Sequence, residues 1–401
     1  CCSGTYKNNY QLCCGIKDKI LPLHYSKSKR TMANLYIIIS AFVSAVILGR
    51  IIIPNILIIS LRKRLFDVPD ERKVHKRPIP RLGGVTFFPV ILFSLCVFTA
   101  VRLMTGHGPA ETLTTDLVCE FLFLTGGLTL LYIVGIADDL IGVRYRKKFL
   151  VQIISAAMFP LSGLYINNFY GLFGIYLIPA EVGIPLTMLL VVFITNAINL
   201  IDGIDGLASG LSMVALLVFG VLFVHFRMWS YAMLAFVTVG VIIPFFSYNV
   251  FGSADLGRKI FMGDTGSLTL GYILSFFVIK YCMYEPDMLL TMKTSPVLVS
   301  FSVLMVPCLD VIRVVLRRAR NKRPLFMPDK THIHHKFLAM GFSPRRALVT
   351  IQLMSACFCA FTIVAILYMN NTLVFVINVV VWTLLNLWFD HVINRKAKNG
   401  E

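Results

Sequence analysis

Charge is what this sequence has least of. Only 14% of its 401 residues are charged, while 57% are hydrophobic. A soluble domain of this length cannot leave so much apolar surface without cover, so a soluble globular fold is excluded. Acidic residues are scarcer still, 20 against 38 Lys plus Arg, for a formal net charge of +18. No repeat of fixed period and no low-complexity linker breaks the chain, which excludes a solenoid or a string of tethered domains. Cysteine is present ten times but forms no disulfide framework. Cys1, Cys2, Cys13 and Cys14 stand at the N-terminal end, where a zinc site is the lesser reading. Cys96, Cys119, Cys282, Cys308, Cys357 and Cys359 fall in or beside apolar runs, where cysteine behaves as a small hydrophobe.

What the chain does have is hydrophobic runs of about 20 residues, each long enough to cross a hydrocarbon layer of about 30 Å. They fall at 34–61, 83–103, 117–136, 149–166, 183–199, 207–226, 230–250, 265–283, 297–316, 347–369 and 372–392. The expectation is an all-α polytopic membrane protein of eleven transmembrane helices. Basic residues set its orientation. The first link carries Arg62, Lys63, Arg64, Arg72, Lys73, Lys76, Arg77 and Arg81, and alternate later links carry Arg144 to Lys148, Arg258, Lys259 and the run from Arg317 to Arg346. The opposite links hold little beyond Arg227 and Lys293. The N-terminus is therefore expected outside and the C-terminus in the cytoplasm. With no organelle signal, the setting reads as a bacterial inner membrane. Topology accounts for the basic residues, so no nucleic-acid partner is needed.

Residues 1–31 depart from this pattern, placing six basic residues on the side where positive charge is disfavoured. Met32 stands just before the first apolar run. The sequence is read as a non-native or disordered leader at 1–31, one transmembrane catalytic domain at 32–395 and a cytoplasmic tail at 396–401.

The unusual polar residues collect in five successive links on the cytoplasmic side: "DVPDERKVHKRPIPRLGG" (67–84), "GIADDLIGVRYRKKF" (135–149), "NAINLIDGIDG" (196–206), "FMGDTGS" (261–267) and "RPLFMPDKTHIHHKF" (323–337). Helix ends must be polar, which explains Lys and Arg there. It does not explain Asp138, Asp139, Asn199, Asp202, Asp205 and Asp264 gathered on one face, since acids at a membrane edge are costly. One shared site is expected. Carboxylates are hard oxygen ligands for Mg²⁺, which is held through one or two of them plus substrate phosphates. Gly203, Gly206, Gly263 and Gly266 flank helix starts, where phosphate can approach the positive end of a helix dipole. Lys and His add donors for phosphate oxygens. The ligand class is a phosphorylated lipid, a nucleotide, or both.

These segments resemble the polyprenyl-phosphate N-acetylhexosamine-1-phosphate transferases. The paired aspartates, the "NxxNLxDGxDGLA" pattern, "GDTGSL" and the histidine cluster occur in that family's order between residues 34 and about 345. His332-Ile333-His334-His335 is like the GlcNAc-1-phosphate branch rather than the three consecutive histidines of the peptidoglycan branch. The resemblance implies an eleven-helix fold, UDP-GlcNAc as donor, a long polyprenyl phosphate such as undecaprenyl phosphate as acceptor, and Mg²⁺ as cofactor with Mn²⁺ as a substitute. Asn199 and Asp264 are the implied metal ligands, and Lys148 the implied contact to the donor diphosphate. Phe261 would stack on the uracil, Asp205 and the Gly203 backbone would read its edge, and Asp202 would support the loop or the nucleotide. His334 and His335 would bind phosphate, with His332 facing another way.

Asp138 and Asp139 are adjacent, so in a helix they point about 100° apart and cannot share one task. One is expected to face phosphates and metal, the other to hold Lys148 or the metal's waters. A phosphate monoester has a second pKa of about 6, so the acceptor is largely ionised without a base. Arg72, Lys73, His75 and Arg81 could steer anions or simply fix topology, and Asp310 and Arg313 read as an i,i+3 pair. A peptidoglycan-type donor and, in a different class, a transporter remain the alternatives. Monomer or homodimer is left open.

Overall fold

The computed structural model describes residues 8–63, 65–67, 79–105, 114–283, 295–322 and 331–399. Arg72, Lys73 and His75 lie outside them, as do Asp329 and Lys330. The chain is an all-α polytopic membrane protein. In order the helices are α1 (Asn8–Lys63), α2 (Phe87–Met104), α3 (Thr115–Ile141), α4 (Tyr145–Leu161), α5 (Ala180–Ile201), α6 (Leu207–His225), α7 (Trp229–Val250), α8 (Gly263–Cys282), α9 (Pro296–Val303), α10 (Met305–Arg320), α11 (Ile333–Ala339), α12 (Pro344–Ala365) and α13 (Asn371–Asn399). The only strands among the described residues are a short pair, β1 (Phe66–Asp67) with β2 (Ile79–Pro80), and a hairpin, β3 (Asn168–Leu172) with β4 (Ile175–Leu177).

Every expected span coincides with helix, and the count comes close to the eleven expected. Nine described helices are long and apolar enough to cross a bilayer, and a bent pair makes a tenth. The expected span at 297–316 is that pair, α9 and α10, bent by 74°. Pro307 explains the break: it has no N–H for the Val303 carbonyl, and its ring crowds that position. The span at 149–166 begins earlier and ends sooner, as the 17 residues of α4, with Lys147 and Lys148 in its first turns. The backbone of residues 8–31, expected as a leader, continues α1.

Helix α8 is the central post, with almost every residue buried. Helices α3 and α5 pack along it in opposite sense. Gly135 of α3 lies so close to Thr265 that a Cβ would strike its backbone. At the end away from the polar links, Lys280 of α8 bonds Glu120 of α3 at 2.7 Å, and the Tyr231 hydroxyl of α7 donates to the same carboxylate. That pairing satisfies a carboxylate otherwise too costly to bury. At the same end the β3–β4 hairpin is tied to the start of α13, through Asn371 donating to the Tyr170 carbonyl at 2.7 Å. The other end of α8, from Gly263 on, is where the polar links meet.

Candidate functional site

The start of α8 organises the site. Asp139, in the last turn of α3, spends both carboxylate oxygens on it. Its Oδ1 accepts from the Asp264 N–H at 2.7 Å, and its Oδ2 from the Thr265 N–H at 3.0 Å and the Thr265 hydroxyl at 2.6 Å. A carboxylate at a helix N-terminus meets unpaired N–H groups and the positive end of the dipole. The helix start expected to receive substrate phosphate is thus already capped by a side chain of this chain.

Asp138, its neighbour, points elsewhere as helical geometry requires. Its Oδ1 accepts from the Val143 N–H at 2.6 Å, and its Oδ2 accepts from Lys148 at 3.0 Å. Lys148, in the first turns of α4, also donates to Asp264 Oδ2. Its ammonium therefore bridges two carboxylates from two helices and is itself mostly covered. Asn199, near the end of α5, donates to Asp264 Oδ1 and to the Ser267 hydroxyl, both at 2.8 Å. Lys148, Asn199 and Asp139 thus converge on one residue, Asp264.

The remaining links close around this centre. The Phe261 N–H donates to the Pro80 carbonyl at 2.7 Å, and the Gly83 and Gly84 N–H groups donate to the carbonyls of Phe261 and Met262 at 2.9 and 2.8 Å. Gly84 and Gly266 lie backbone against backbone, with no room for a Cβ on either. Phe261 is half-buried at this seam. Following α5, Asp202 reaches the surface. Even so, the protein packed around its carboxyl, then the charges of Asp264, Asp205 and Asp139, push it up to about 8, with Arg81 acting the other way. Asp205 is ion-paired to Lys259 at 2.6 Å, a partner that sequence reasoning treated only as a topology residue. The Gly206 N–H is taken by the Asn249 side chain at 2.6 Å.

The histidine segment joins through Gly203, whose missing Cβ leaves room for the ring of His334. His334 is buried, its Nδ1 has no hydrogen-bond partner, and burial, then His335 and His332, push its pKa down to about 3. It is a neutral imidazole, which brings phosphate one N–H donor rather than the two of an imidazolium. The ring of His335, 4.2 Å from it between centroids, is more open. His332 faces the other way, with Nδ1 2.8 Å from Asp310 Oδ2. Asp310 is fully buried and also accepts from Arg313 at 2.7 Å and from the Ile333 N–H at 3.1 Å. The i,i+3 pair is real, but its larger role is to hold the start of α11. The other side of α11 is gripped by α13: Lys336 lies 2.8 Å from Asp390 and 3.2 Å from the Asn386 side-chain oxygen. Sequence alone gave no signal for this second grip.

The described parts of all five polar links therefore meet. Among the described residues no group of three or more His, Cys, Asp or Glu side chains could hold a metal alone. The groups that do converge, one carboxylate of Asp264 and the amide of Asn199, here bond to each other and to Lys148; released from those contacts, their oxygens suit an ion that takes its others from water and phosphate. Lys148 already demonstrates that the spot between Asp138 and Asp264 favours positive charge.

Comparison with known proteins shows the family. Residues 121–282 match the family described as Glycosyl transferase family 4. The chain is 32% identical over 349 residues to a probable undecaprenyl-phosphate N-acetylglucosaminyl 1-phosphate transferase of Bacillus subtilis (strain 168), covering 85% of this chain and 89% of that protein. It is 31% identical to a decaprenyl-phosphate N-acetylglucosaminephosphotransferase of Mycolicibacterium smegmatis, over 74% of each. With the undecaprenyl-phosphate alpha-N-acetylglucosaminyl 1-phosphate transferase of Yersinia pestis the identity is 29%, over 74% of this chain and 76% of that one.

Proposed function

This chain belongs to glycosyl transferase family 4, the polyprenyl-phosphate N-acetylhexosamine-1-phosphate transferases, and on that premise we propose that it transfers GlcNAc-1-phosphate from UDP-GlcNAc to a polyprenyl phosphate. The acceptor is undecaprenyl phosphate or a close relative, the products are UMP and polyprenyl-diphospho-GlcNAc, and the site faces the cytoplasm from a bacterial inner membrane. This is the first committed step of an envelope glycan.

An oxygen of the lipid phosphate attacks the donor's β-phosphorus. The bond from that phosphorus to the bridging oxygen breaks, and the electron pair leaves on the UMP phosphate. One anhydride replaces another, so the obstacle is not net driving force but bringing two anions together. In phosphoryl transfer, positioning and charge neutralisation supply most of the catalysis. Lys148 is the group for the diphosphate, since it can exchange a carboxylate contact for a phosphate one. His335 and neutral His334 offer N–H donors. Phe261 and Asp205 take the uracil, with the Gly203 backbone beside them, and Asp202 lies at the rim. Asp264 and Asn199 would hold Mg²⁺, or Mn²⁺ in its place; the bound ion would act as a Lewis acid on the donor phosphates.

The observation that carries the reading is the convergence of Lys148 and Asn199 on Asp264. Asp138 and Asp139 have their oxygens engaged, with Lys148 and the α8 start, which supports a positioning role over a general base. Purified protein given polyprenyl phosphate and, separately, UDP-GlcNAc, its epimer UDP-GalNAc, or UDP-MurNAc-pentapeptide tests the donor. UMP release with UDP-GlcNAc is expected. Preference for the pentapeptide donor would move the chain to the peptidoglycan branch, and no release with any donor would refute the reaction.

A further inference from the structure

One turn deeper than Lys148 and Asn199, two side-chain amides face each other across the same pair of helices. Asn196 of α5 donates to Gln152 Oε1 at 2.7 Å, and Gln152 of α4 donates back to Asn196 Oδ1 at 3.3 Å. Asn196 is fixed further by a 2.8 Å bond to the Val192 carbonyl of its own helix, and Gln152 is buried. Gln152 follows Lys148 by four residues and Asn196 precedes Asn199 by three. Each amide therefore lies on the same helix face as the site residue above it.

We propose that the Gln152–Asn196 pair is the spacer that sets where Lys148 and Asn199 meet Asp264. Apolar contacts would hold α4 against α5 but would let the helices slide and rotate. Two reciprocal hydrogen bonds fix both separation and rotation, because each amide must present its oxygen and its N–H to the other. An amide left unpaired in this buried interface would be costly, so alternative registers are excluded. The consequence is felt about 6 Å along α4, at Lys148, and about 4.5 Å along α5, at Asn199. Neither amide touches Asp264, and both are positioning residues. The proposal rests on the transferase reading above.

The test compares wild type, Gln152→Leu, Asn196→Leu and the double exchange Gln152→Asn with Asn196→Gln, all as full chains in lipid nanodiscs. The exchange keeps both amides and the combined reach across the interface. Each leucine variant is expected to lower kcat by about 100-fold, the scale of a misplaced reacting group. KM for UDP-GlcNAc should stay within about twofold, since the binding groups remain. The exchange should regain most of the lost kcat. Leucine variants with wild-type kcat would overturn the spacer, as would a loss of kcat that the exchange does not recover, or one matched by an equal loss of folded protein. If the leucine variants do not fold, the exchange decides alone: an active enzyme supports the spacer and an inactive one overturns it. Wild type that releases no UMP would overturn the assigned reaction, and the spacer with it.

Discussion

Asp139 and Asp264 belong to different helices, yet the carboxylate of the first closes the backbone of the second, Oδ1 to N–H at 2.7 Å. The acid that looks like a catalytic base is thus the cap of the helix that carries the site. Its neighbour Asp138 holds the lysine instead. Adjacent acids serve two ends because a helix turns them apart.

Replacing Asp139 with Ala should destabilise the protein by about 1–2 kcal/mol, the range for loss of an N-cap. It should also lower kcat, because Asp264 rides on the capped turn. Thermal unfolding in detergent and a pH–rate profile of Asp139→Ala and Asp139→Asn check this. The account expects no recovery of Asp139→Asn activity at higher pH; recovery would mark a base.

Lys148 sits between Asp138 and Asp264 and pairs with both. Lys148→Met leaves two carboxylates facing one another, and kcat/KM should fall by about 1,000-fold, as when a preorganised charge is removed from the transition state. Lys148→Arg should recover little, since a planar guanidinium cannot replace a compact ammonium held by two helices. Steady-state UMP release measures both.

His334 gives a pH signature. Its pKa falls from about 6.5 in the unfolded chain to about 3 in the fold. Between those values the unfolded state binds the extra proton, so stability should rise with pH across the window and level off above about 6.5. The unfolding midpoint of the wild type followed from pH 4 to 8, beside that of His334→Gln, reads the effect. The wild type should lose more stability on acidification than the variant; parallel curves would contradict a buried neutral imidazole.

Hydropathy revealed where the spans lie, because about 20 apolar residues have few other uses. It could not reveal the bend at Pro307, which depends on whether neighbours absorb the lost hydrogen bond. The motifs disclosed that Asp138, Asp139, Asn199 and Asp264 share a place, but not how labour divides among them. Division depends on rotation about α3 and on where α8 begins. The glycines of 203–206 and 263–266 were legible as special, yet the reason differed: Gly84 and Gly266 let two backbones touch, and Gly203 makes room for His334. Pairings between distant segments, such as Lys259 with Asp205 and Lys336 with Asp390, leave no trace in a single sequence.

The most direct measurement of the central claim is UMP release by wild type and Asp264→Asn, each with UDP-GlcNAc, with polyprenyl phosphate, and with both, over a range of Mg²⁺. Wild type should release UMP only when both substrates and the metal are present. The variant should fold with a similar unfolding midpoint, release UMP at least about 100-fold more slowly, and need more Mg²⁺. Unchanged turnover in Asp264→Asn, with unchanged metal demand, would contradict a single site built on that residue.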